Sequence, residues 1–308
     1  MLVSLHIYKF IWPHLKINKV PTGAGILFFL SIFLAFYLNN ELFSTKFGIS
    51  ISIISVLTLI YYIDDLKSLS ISVRIFLQSL MGLAISFTFF FDIFNSNLYL
   101  FIFLLTSISI LSLLLTNTIN FYDGADLNIV VFGILNFLVL YYIFFSESNF
   151  QIIIQLSLIF FIAFSFLNYK KNNLYFGDAG SFFLAGVLLI FISYAIFNQN
   201  SKILYLLTSL SLPILDVIFV ILFRISRNEP LHTRHYHQIY QVVQKTQKNW
   251  LYLIIQPINT GISVLFILFL NILGINEILS IILGCLIISF IFYFSLRYFL
   301  VNNIKLNE

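Results

Sequence analysis

Residues 98–116 read LYLFIFLLTSISILSLLLT, an unbroken stretch of apolar and hydroxyl-bearing side chains that carries no charge. A helix needs roughly 17–25 predominantly apolar residues to cross the hydrocarbon core of a bilayer. The next segment, NTINFYDGADLN at residues 117–128, abruptly replaces this apolar pattern with Asn and Asp side chains. The stretch therefore predicts a transmembrane helix that ends in a polar connection.

Nine more apolar runs repeat this pattern along the chain. Charged residues make up 9% of the sequence and apolar residues 60%, whereas a soluble domain is roughly 25% charged. Inside a bilayer only helices and closed barrels pair all backbone groups, and uninterrupted apolar runs exclude a barrel's alternating pattern. We therefore predict an all-α, polytopic transmembrane helical bundle, with residues 1–308 as a single membrane domain. Its ten candidate spans are 24–39, 48–63, 73–91, 98–116, 127–145, 150–167, 180–197, 203–223, 250–271 and 276–300.

The positions of Lys and Arg predict the orientation. Only Lys46 and Lys202, of the 16 Lys and Arg residues, fall on the side opposite the N-terminus. Because cytoplasmic connections carry an excess of Lys and Arg, we predict that both termini are cytoplasmic. The net charge of +4 is then a topology signal and does not indicate nucleic-acid binding. The single Cys285 argues against disulfides and against a thiolate metal site.

The acidic residues differ between the two sides. Those in the outer connections occur singly, as solvated residues do. Those on the inner side cluster at the ends of separate spans, together with Lys, Arg and His. Because these connections share one membrane face, we predict that they form one active site, as a metal-assisted phosphoryl transfer requires. The predicted cytoplasmic active-site segments are about 1–23, 64–72, 117–126, 168–179 and 224–249.

Two of these clusters also have simpler interpretations. Asp64 and Asp65 either end a helix or favour a cation, because adjacent carboxylates at a membrane boundary repel each other. Asp123 and Asp126 are three positions apart, which would place them on one face if the segment is helical. A turn rich in Asn, Asp and Gly is also typical of any tight connection.

The later clusters are similarly ambiguous. Asp178 either caps the seventh span or holds a metal, while Gly177 and Gly180 clear space for a phosphate near the positive helix end. The loop 224–249 places three His residues within six positions among Arg side chains. This pattern suits a diphosphate and is also expected of a solvated cytoplasmic loop.

Asp216 follows Pro213 inside the eighth span, and acids inside a membrane mark functional sites by default. Its structural alternative is an ion pair with Arg224. Such acids also mark transport pathways, so an ion-coupled transporter or flippase is the alternative function. A CDP-alcohol phosphatidyltransferase is a second enzyme alternative, but its longer Asp-Gly-Ala-Arg spacing is absent.

In their order along the chain these motifs resemble the polyprenyl-phosphate N-acetylhexosamine-1-phosphate transferase family, also classed as glycosyltransferase family 4. That family contains phospho-MurNAc-pentapeptide translocase and the initiating transferases of O-antigen and enterobacterial common antigen. The resemblance covers nearly the whole chain and rests on PTGAG at 21–25, DDLK at 64–67, NFYDGAD at 120–126, FGDAGS at 176–181, PILD at 213–216 and RHYH at 234–237.

The resemblance implies an activity and a location. The enzyme would transfer a sugar-1-phosphate from a UDP-sugar to a polyprenyl phosphate, such as undecaprenyl phosphate. The products would be UMP and the polyprenyl-diphosphate-sugar that starts a cell-surface glycan. The active site would face the cytoplasm at a bacterial inner (plasma) membrane. Whether the chain forms a homodimer is left open, and no nucleic-acid partner is expected.

The resemblance also implies roles for particular residues. Asp178 would ligate Mg²⁺, with Mn²⁺ as the alternative. Asp64 and Asp65 would act on the polyprenyl phosphate, as base, nucleophile or positioning groups. Lys19, or else Lys16, corresponds to a basic substrate-binding residue. The nucleotide sugar and metal region would be lined by Asn120, Asp123 and Asp126. The diphosphate would be bound by Arg234, His235 and His237.

Three positions depart from the family pattern. Gln238 stands where the last His of a His-x-His-His pattern is expected, and Thr233 stands where an Asp usually precedes the Arg. We therefore expect altered diphosphate contacts. Leu127 stands where a Gly usually follows Asp126, so we expect a reshaped nucleotide pocket.

Overall fold

The computed structural model describes residues 16–17, 20–21, 23–38, 45–67, 69–169, 174–229, 237–247 and 250–305. The regular secondary structure of these residues is helical apart from one antiparallel pair of two-residue strands, β1 (Lys16–Ile17) and β2 (Val20–Pro21). The predicted all-α fold class is confirmed. The α-helices are α1 (Gly25–Leu38), α2 (Lys46–Leu66), α3 (Ile71–Phe90), α4 (Leu98–Tyr122), α5 (Asn128–Ile143), α6 (Ser148–Asn168), α7 (Asp178–Phe197), α8 (Leu207–Ser226), α9 (Ile239–Gln247), α10 (Tyr252–Ile272) and α11 (Glu277–Lys305).

Each predicted span corresponds to an apolar helix. Within the described ranges, eight helices are long and apolar enough to cross a membrane, judged by length and composition. The other two, α1 and α5, have 14 and 16 residues. At 1.5 Å per residue they measure about 21 and 24 Å, against a hydrocarbon core of about 30 Å. The polytopic prediction is confirmed, and a full crossing by α1 or α5 stays a prediction.

Polar residues at the ends of the apolar runs fix where helices begin. The Ser70 hydroxyl accepts the backbone N–H of Val73 at the start of α3, at 3.4 Å. The Asn97 side chain accepts the backbone N–H of Leu100 at the start of α4, at 3.0 Å. Such caps satisfy N–H groups that have no partner within the helix.

The chain forms two compact units, Met1–Asn200 and Ser201–Glu308, and each is described by itself. In the first unit α7 is the central helix and contacts α1, α2, α3 and α4. Of its membrane-length window, 78% is buried inside the protein, against 22% for α4. This burial explains why α7 is apolar on all sides, as enclosed helices are.

Aromatic side chains fill the interior of the first unit. Phe28 on α1 is fully buried. Its ring lies 5.2–6.1 Å, between centroids, from five other rings on α5, on α6, and on or next to α7. These contacts hold the short helix α1 against the rest of the unit. The five rings are those of Phe137, Phe160, Phe161, Phe176 and Phe183.

In the second unit, a proline inside α8 determines one polar contact. Pro213 lacks an N–H, so the carbonyl of Ser209, four residues earlier, loses its helical donor. The side-chain amide of Gln256 on α10 donates to that carbonyl at 2.9 Å. The Gln256 side chain thus satisfies a backbone group for which lipid offers no donor.

Candidate active site

In the first unit, α2 and α4 end where α7 begins, and Asp65 joins α2 to α7. The backbone N–H of Asp178 donates to Asp65 Oδ1 at 2.9 Å, and that of Ala179 donates to Oδ2 at 3.2 Å. The first N–H groups of a helix have no partner inside the helix, and the helix dipole places positive charge there. The buried Asp65 carboxylate therefore caps α7.

Asp123, directly after α4, binds the turn that precedes α7. The backbone N–H groups of Phe176 and Gly177 donate to its Oδ1 and Oδ2, both at 2.9 Å. Burial raises the pKa of Asp123 above its ordinary value. The two N–H donors lower this pKa, and the charges of Asp178 and Asp65 raise it. Asp123 thus lies in a region of crowded negative charge.

Asp64 faces a different set of partners from its neighbour Asp65. The backbone N–H of Leu69 donates to Asp64 Oδ1 at 2.7 Å. Arg74 Nε lies 2.8 Å from Oδ2, with the Asp64 side chain fully buried and the Arg74 side chain one third exposed. The distance makes this an ion pair, although the N–H is not aligned for a hydrogen bond. The two adjacent carboxylates therefore have separate environments.

The glycine-rich segment before α1 binds the same turn from its carbonyl side. The N–H of Ala24 donates to the carbonyl of Tyr175 at 3.1 Å, and that of Gly25 donates to the carbonyl of Phe176 at 2.8 Å. A Cβ on Gly25 would lie 2.1 Å from the Cα of Gly180. The expectation that Gly180 leaves space for a phosphate is wrong, because Gly25 occupies that space.

Gly177 has a backbone conformation that L-residues rarely adopt, with φ of +90°. A Cβ there would lie 2.9 Å from the backbone N of Gly23 and 3.2 Å from both carboxylate oxygens of Asp65. Gly177 therefore permits both a positive φ and a close approach of backbone and carboxylate.

Asp178 is the first residue of α7 and is half-buried. Among the described residues no donor is hydrogen-bonded to its carboxylate, in contrast to Asp65 and Asp123. Its charge acts on Asp64, Asp65 and Asp123, all nearby. Carboxylates in one site repel each other. This arrangement favours a cation, although the part of the chain that the structure describes has no preformed group of three or more His, Cys, Asp or Glu for a metal.

Asn120 and Asp126 border this group of acids. Asn120 is half-buried and lies on α4 one turn before Asp123. Asp126 is half-buried in the connection to α5. Burial raises the pKa of the Tyr175 hydroxyl, and the charges of Asp126 and Asp123 raise it further. Asp126 therefore lies near the segment that precedes α7.

Leu127, at the position where a glycine was expected, has a left-handed conformation with φ of +60°. Its backbone N–H donates to Asn168 Oδ1 at 2.5 Å, and Asn168 Nδ2 donates to the carbonyl of Leu174 at 2.9 Å. A left-handed conformation costs a side chain with a Cβ roughly 1–2 kcal/mol. The fully buried Asn168 side chain stabilises this strained residue next to the site.

In the second unit, acids and bases also pair. Asp216 Oδ1 accepts from Arg297 Nη2 at 3.0 Å, and Oδ2 accepts from the N–H of Ile239 at 3.0 Å. The ion pair suggested for Asp216 therefore exists, but its partner is Arg297, and Arg224 was the wrong residue. The Arg224 Nε lies 3.5 Å from Glu229 Oε2.

His237, predicted to bind a diphosphate, lies beside Glu229 in the second unit. Its Nε2 is 3.4 Å from Glu229 Oε2, and its ring packs edge-on against Phe223 with centroids 5.4 Å apart. The other predicted diphosphate contacts, Arg234 and His235, lie outside the described residues, as does Lys19.

Sequence reasoning missed three of these partners. Arg74 is, in the sequence, only one of the Lys and Arg residues on the N-terminal side, although its place seven residues after the DDLK motif could have suggested contact with that motif. Nothing in the sequence marked Asn168, whose two partners are backbone groups, one of them 41 residues away. Glu229 is the acid among the Arg and His residues at the start of the loop 224–249, and this position could have marked it as an ion-pair partner.

Comparison with known proteins is consistent with this geometry. Residues 46–197 match the model of the family described as glycosyl transferase family 4. The matched region contains Asp64, Asp65, Asp123 and Asp178, and it ends before the His-rich loop. No curated protein matches the chain.

Proposed function

We propose that the chain uses a UDP-N-acetylhexosamine and undecaprenyl phosphate. Residues 46–197 match glycosyl transferase family 4, and this match supports transfer of a phospho-sugar to polyprenyl phosphate. A lipid phosphate oxygen attacks the β-phosphorus of the nucleotide sugar. The bond from that phosphorus to the bridging oxygen breaks, and UMP leaves with the electron pair. The lipid product is a polyprenyl-diphosphate-sugar that starts a cell-surface glycan.

The observation that carries this proposal is the convergence of carboxylates within the matched region. Asp65 and Asp123, from the ends of α2 and α4, bind the four consecutive N–H groups next to the Asp178 carboxylate. Fixing both substrates at one site supplies proximity. Because both substrates are anions, the reaction also needs positive charge close to them.

The residues present fit a divalent cation. Mg²⁺ is usually held by one or two carboxylates together with substrate phosphates. Asp178 is half-buried, has no hydrogen-bond donor among the described residues, and is the residue that would hold the ion. When bound, Mg²⁺ would neutralise phosphate charge. Arg74 adds a protein cation next to Asp64.

The remaining roles follow the family resemblance. Asn120 and Asp126, at the border of the acidic group, contact the nucleotide sugar. Arg234, His235 and His237 hold the diphosphate. The distribution of Lys and Arg supports a cytoplasmic active site, and the bacterial inner membrane follows from the family resemblance.

Transfer by the purified full-length protein tests the proposal. The protein in detergent receives undecaprenyl phosphate, Mg²⁺ and single UDP-sugars, and UMP and lipid-linked sugar are measured by mass spectrometry. We expect equal amounts of both products with at least one UDP-N-acetylhexosamine and no transfer in EDTA. Asp178→Asn should abolish transfer, and the control Glu147→Gln, an acid hydrogen-bonded to Tyr194, should retain it. No transfer with any nucleotide sugar, but uptake by vesicles that contain the protein, would favour the transporter alternative.

A further inference from the structure

We propose that Asp65 and Asp123 are positioning residues that hold the turn Tyr175–Ala179 and thereby fix Asp178, without touching substrate. We call residues Tyr175–Ala179 the aspartate-bound turn. The proposal rests on the proposed function for the role of Asp178. It differs from the sequence-based expectation of a direct substrate role for both acids.

The hydrogen bonds divide evenly between the two acids. Four consecutive backbone N–H groups, from Phe176 to Ala179, donate to four different carboxylate oxygens. Asp123 takes the first two donors and Asp65 takes the last two. Both residues are buried, with exposed fractions of 7% for Asp123 and 6% for Asp65. A carboxylate that accepts two backbone N–H groups in this way is fixed by charge-assisted bonds.

The carbonyl side of the aspartate-bound turn is fixed as well. Ala24 and Gly25 donate to the carbonyls of Tyr175 and Phe176. The backbone of Gly25 also reaches Gly180, one turn into α7, at a distance that admits no side chain. The turn is therefore bound by three separate segments of the first unit, each of which ends or begins a helix.

The consequence is a division of roles among the acids. Asp64 faces Arg74 and the N–H of Leu69, and Asp65 faces the start of α7. Unlike Asp64, Asp65 and Asp123, Asp178 is only half-buried, and no described residue donates a hydrogen bond to its carboxylate. A ligand carboxylate needs neighbours that fix its orientation. Asp65 and Asp123 supply this by holding the backbone on both sides of the Asp178 Cα.

Amide hydrogen exchange tests the assignment without turnover, so its result does not depend on the proposed function. In substrate-free full-length protein in detergent, Asp65→Asn should accelerate exchange at Asp178 and Ala179. Asp123→Asn should accelerate it at Phe176 and Gly177. Each acceleration should be roughly ten- to a hundredfold, as expected when one charge-assisted hydrogen bond is lost. Glu147→Gln is the matched acid-to-amide control and should leave all four amides unchanged.

The outcomes separate clearly. Unchanged exchange at these four amides in both variants would overturn the proposal. If Asp65→Asn does not fold, Asp65→Glu replaces it, because the displaced carboxylate should still release Asp178 and Ala179 selectively. Where transfer activity is present, Asp65→Asn should lower kcat roughly ten- to a hundredfold and leave KM for the UDP-sugar unchanged. A loss of kcat beyond about 10⁴-fold with unaltered exchange would instead assign Asp65 to the chemistry.

Discussion

The guanidinium of Arg74 lies 2.8 Å, from Nε to Oδ2, from the fully buried carboxylate of Asp64. Among the described residues, no other cation forms an ion pair with Asp64, Asp65, Asp123 or Asp178. Removing one partner of a buried pair leaves an uncompensated charge in a medium that solvates it poorly. The stability of the end of α2 therefore depends on Arg74.

We predict that Arg74→Gln lowers the free energy of unfolding by about 3 kcal/mol. This is the lower end of the range for loss of one partner of a buried ion pair, because Arg74 is partly exposed. Asp92→Asn removes the exposed partner of Lys46 and should cost below about 1 kcal/mol. Thermal unfolding in one detergent measures both variants. Equal losses would mean that the Asp64 pair is no stronger than a surface pair.

Gly25→Ala should disrupt the first unit, because the new Cβ would lie 2.1 Å from the Cα of Gly180. Overpacking against backbone costs roughly 1–3 kcal/mol or more. Transfer activity should fall as well, because Gly25 binds the carbonyl next to Gly177. Gly261→Ala is the control: a Cβ there would meet nothing within 4 Å. We expect unaltered activity and an equal or slightly higher melting temperature for that variant, because Ala favours the helix. A tolerated Gly25→Ala would contradict the close approach.

Hydropathy and charge were enough to predict the helices, because each span is determined locally by its apolar length. They also predicted that Asp64, Asp65, Asp123 and Asp178 share one region, since alternate connections of a polytopic protein lie on one face. Hydropathy and charge patterns could not predict individual hydrogen bonds. Whether Asp65 binds a metal, a substrate or a backbone amide 113 residues away is decided by tertiary packing.

The errors have the same origin. Arg224 was chosen as the partner of Asp216 because it lies on the same helix, whereas Arg297 reaches Asp216 from α11. Gly180 suggested a phosphate site because small residues near a helix N-terminus are common there. A second glycine segment, distant in sequence, filled that space. Contacts between helices depend on packing that local patterns do not contain.

Leu127→Gly should stabilise the protein, because Leu127 holds a left-handed conformation with φ of +60°. We expect a gain of up to about 1 kcal/mol, since removal of the left-handed penalty is partly offset by the entropy of glycine. Leu127→Val should be destabilising, because a β-branched side chain fits this conformation least well. Thermal unfolding measures both, and a less stable Leu127→Gly would mean that side-chain packing outweighs the strain.

The predicted orientation can be tested with two matched serines. In a Cys285→Ser background, Ser226→Cys lies at the end of α8 and Ser148→Cys at the start of α6, and both positions are exposed. The positive-inside distribution predicts that an impermeant thiol reagent labels Ser148→Cys in intact cells. It should label Ser226→Cys only after the membrane is opened. Labelling of Ser226→Cys in intact cells would reverse the orientation.

His237 is expected to bind the diphosphate rather than to transfer a proton, and its kinetics should show this. Its Nε2 lies 3.4 Å from the carboxylate of Glu229, which orients the ring.

Charge-assisted bonds to phosphate contribute on the order of 1.5–3 kcal/mol each, so losing one should cost roughly ten- to a hundredfold in kcat/KM. A contact present equally in the ground state and the transition state affects KM, so His237→Ala should raise KM for the UDP-sugar more than it lowers kcat. Asp64→Asn should do the reverse if Asp64 acts on the attacking phosphate. Glu229→Gln should produce a smaller rise in KM than His237→Ala, because it removes only the group that orients the imidazole. If His237→Ala eliminates kcat and leaves KM unchanged, the histidine takes part in the chemistry. If neither constant changes, the loop contributes only to membrane topology.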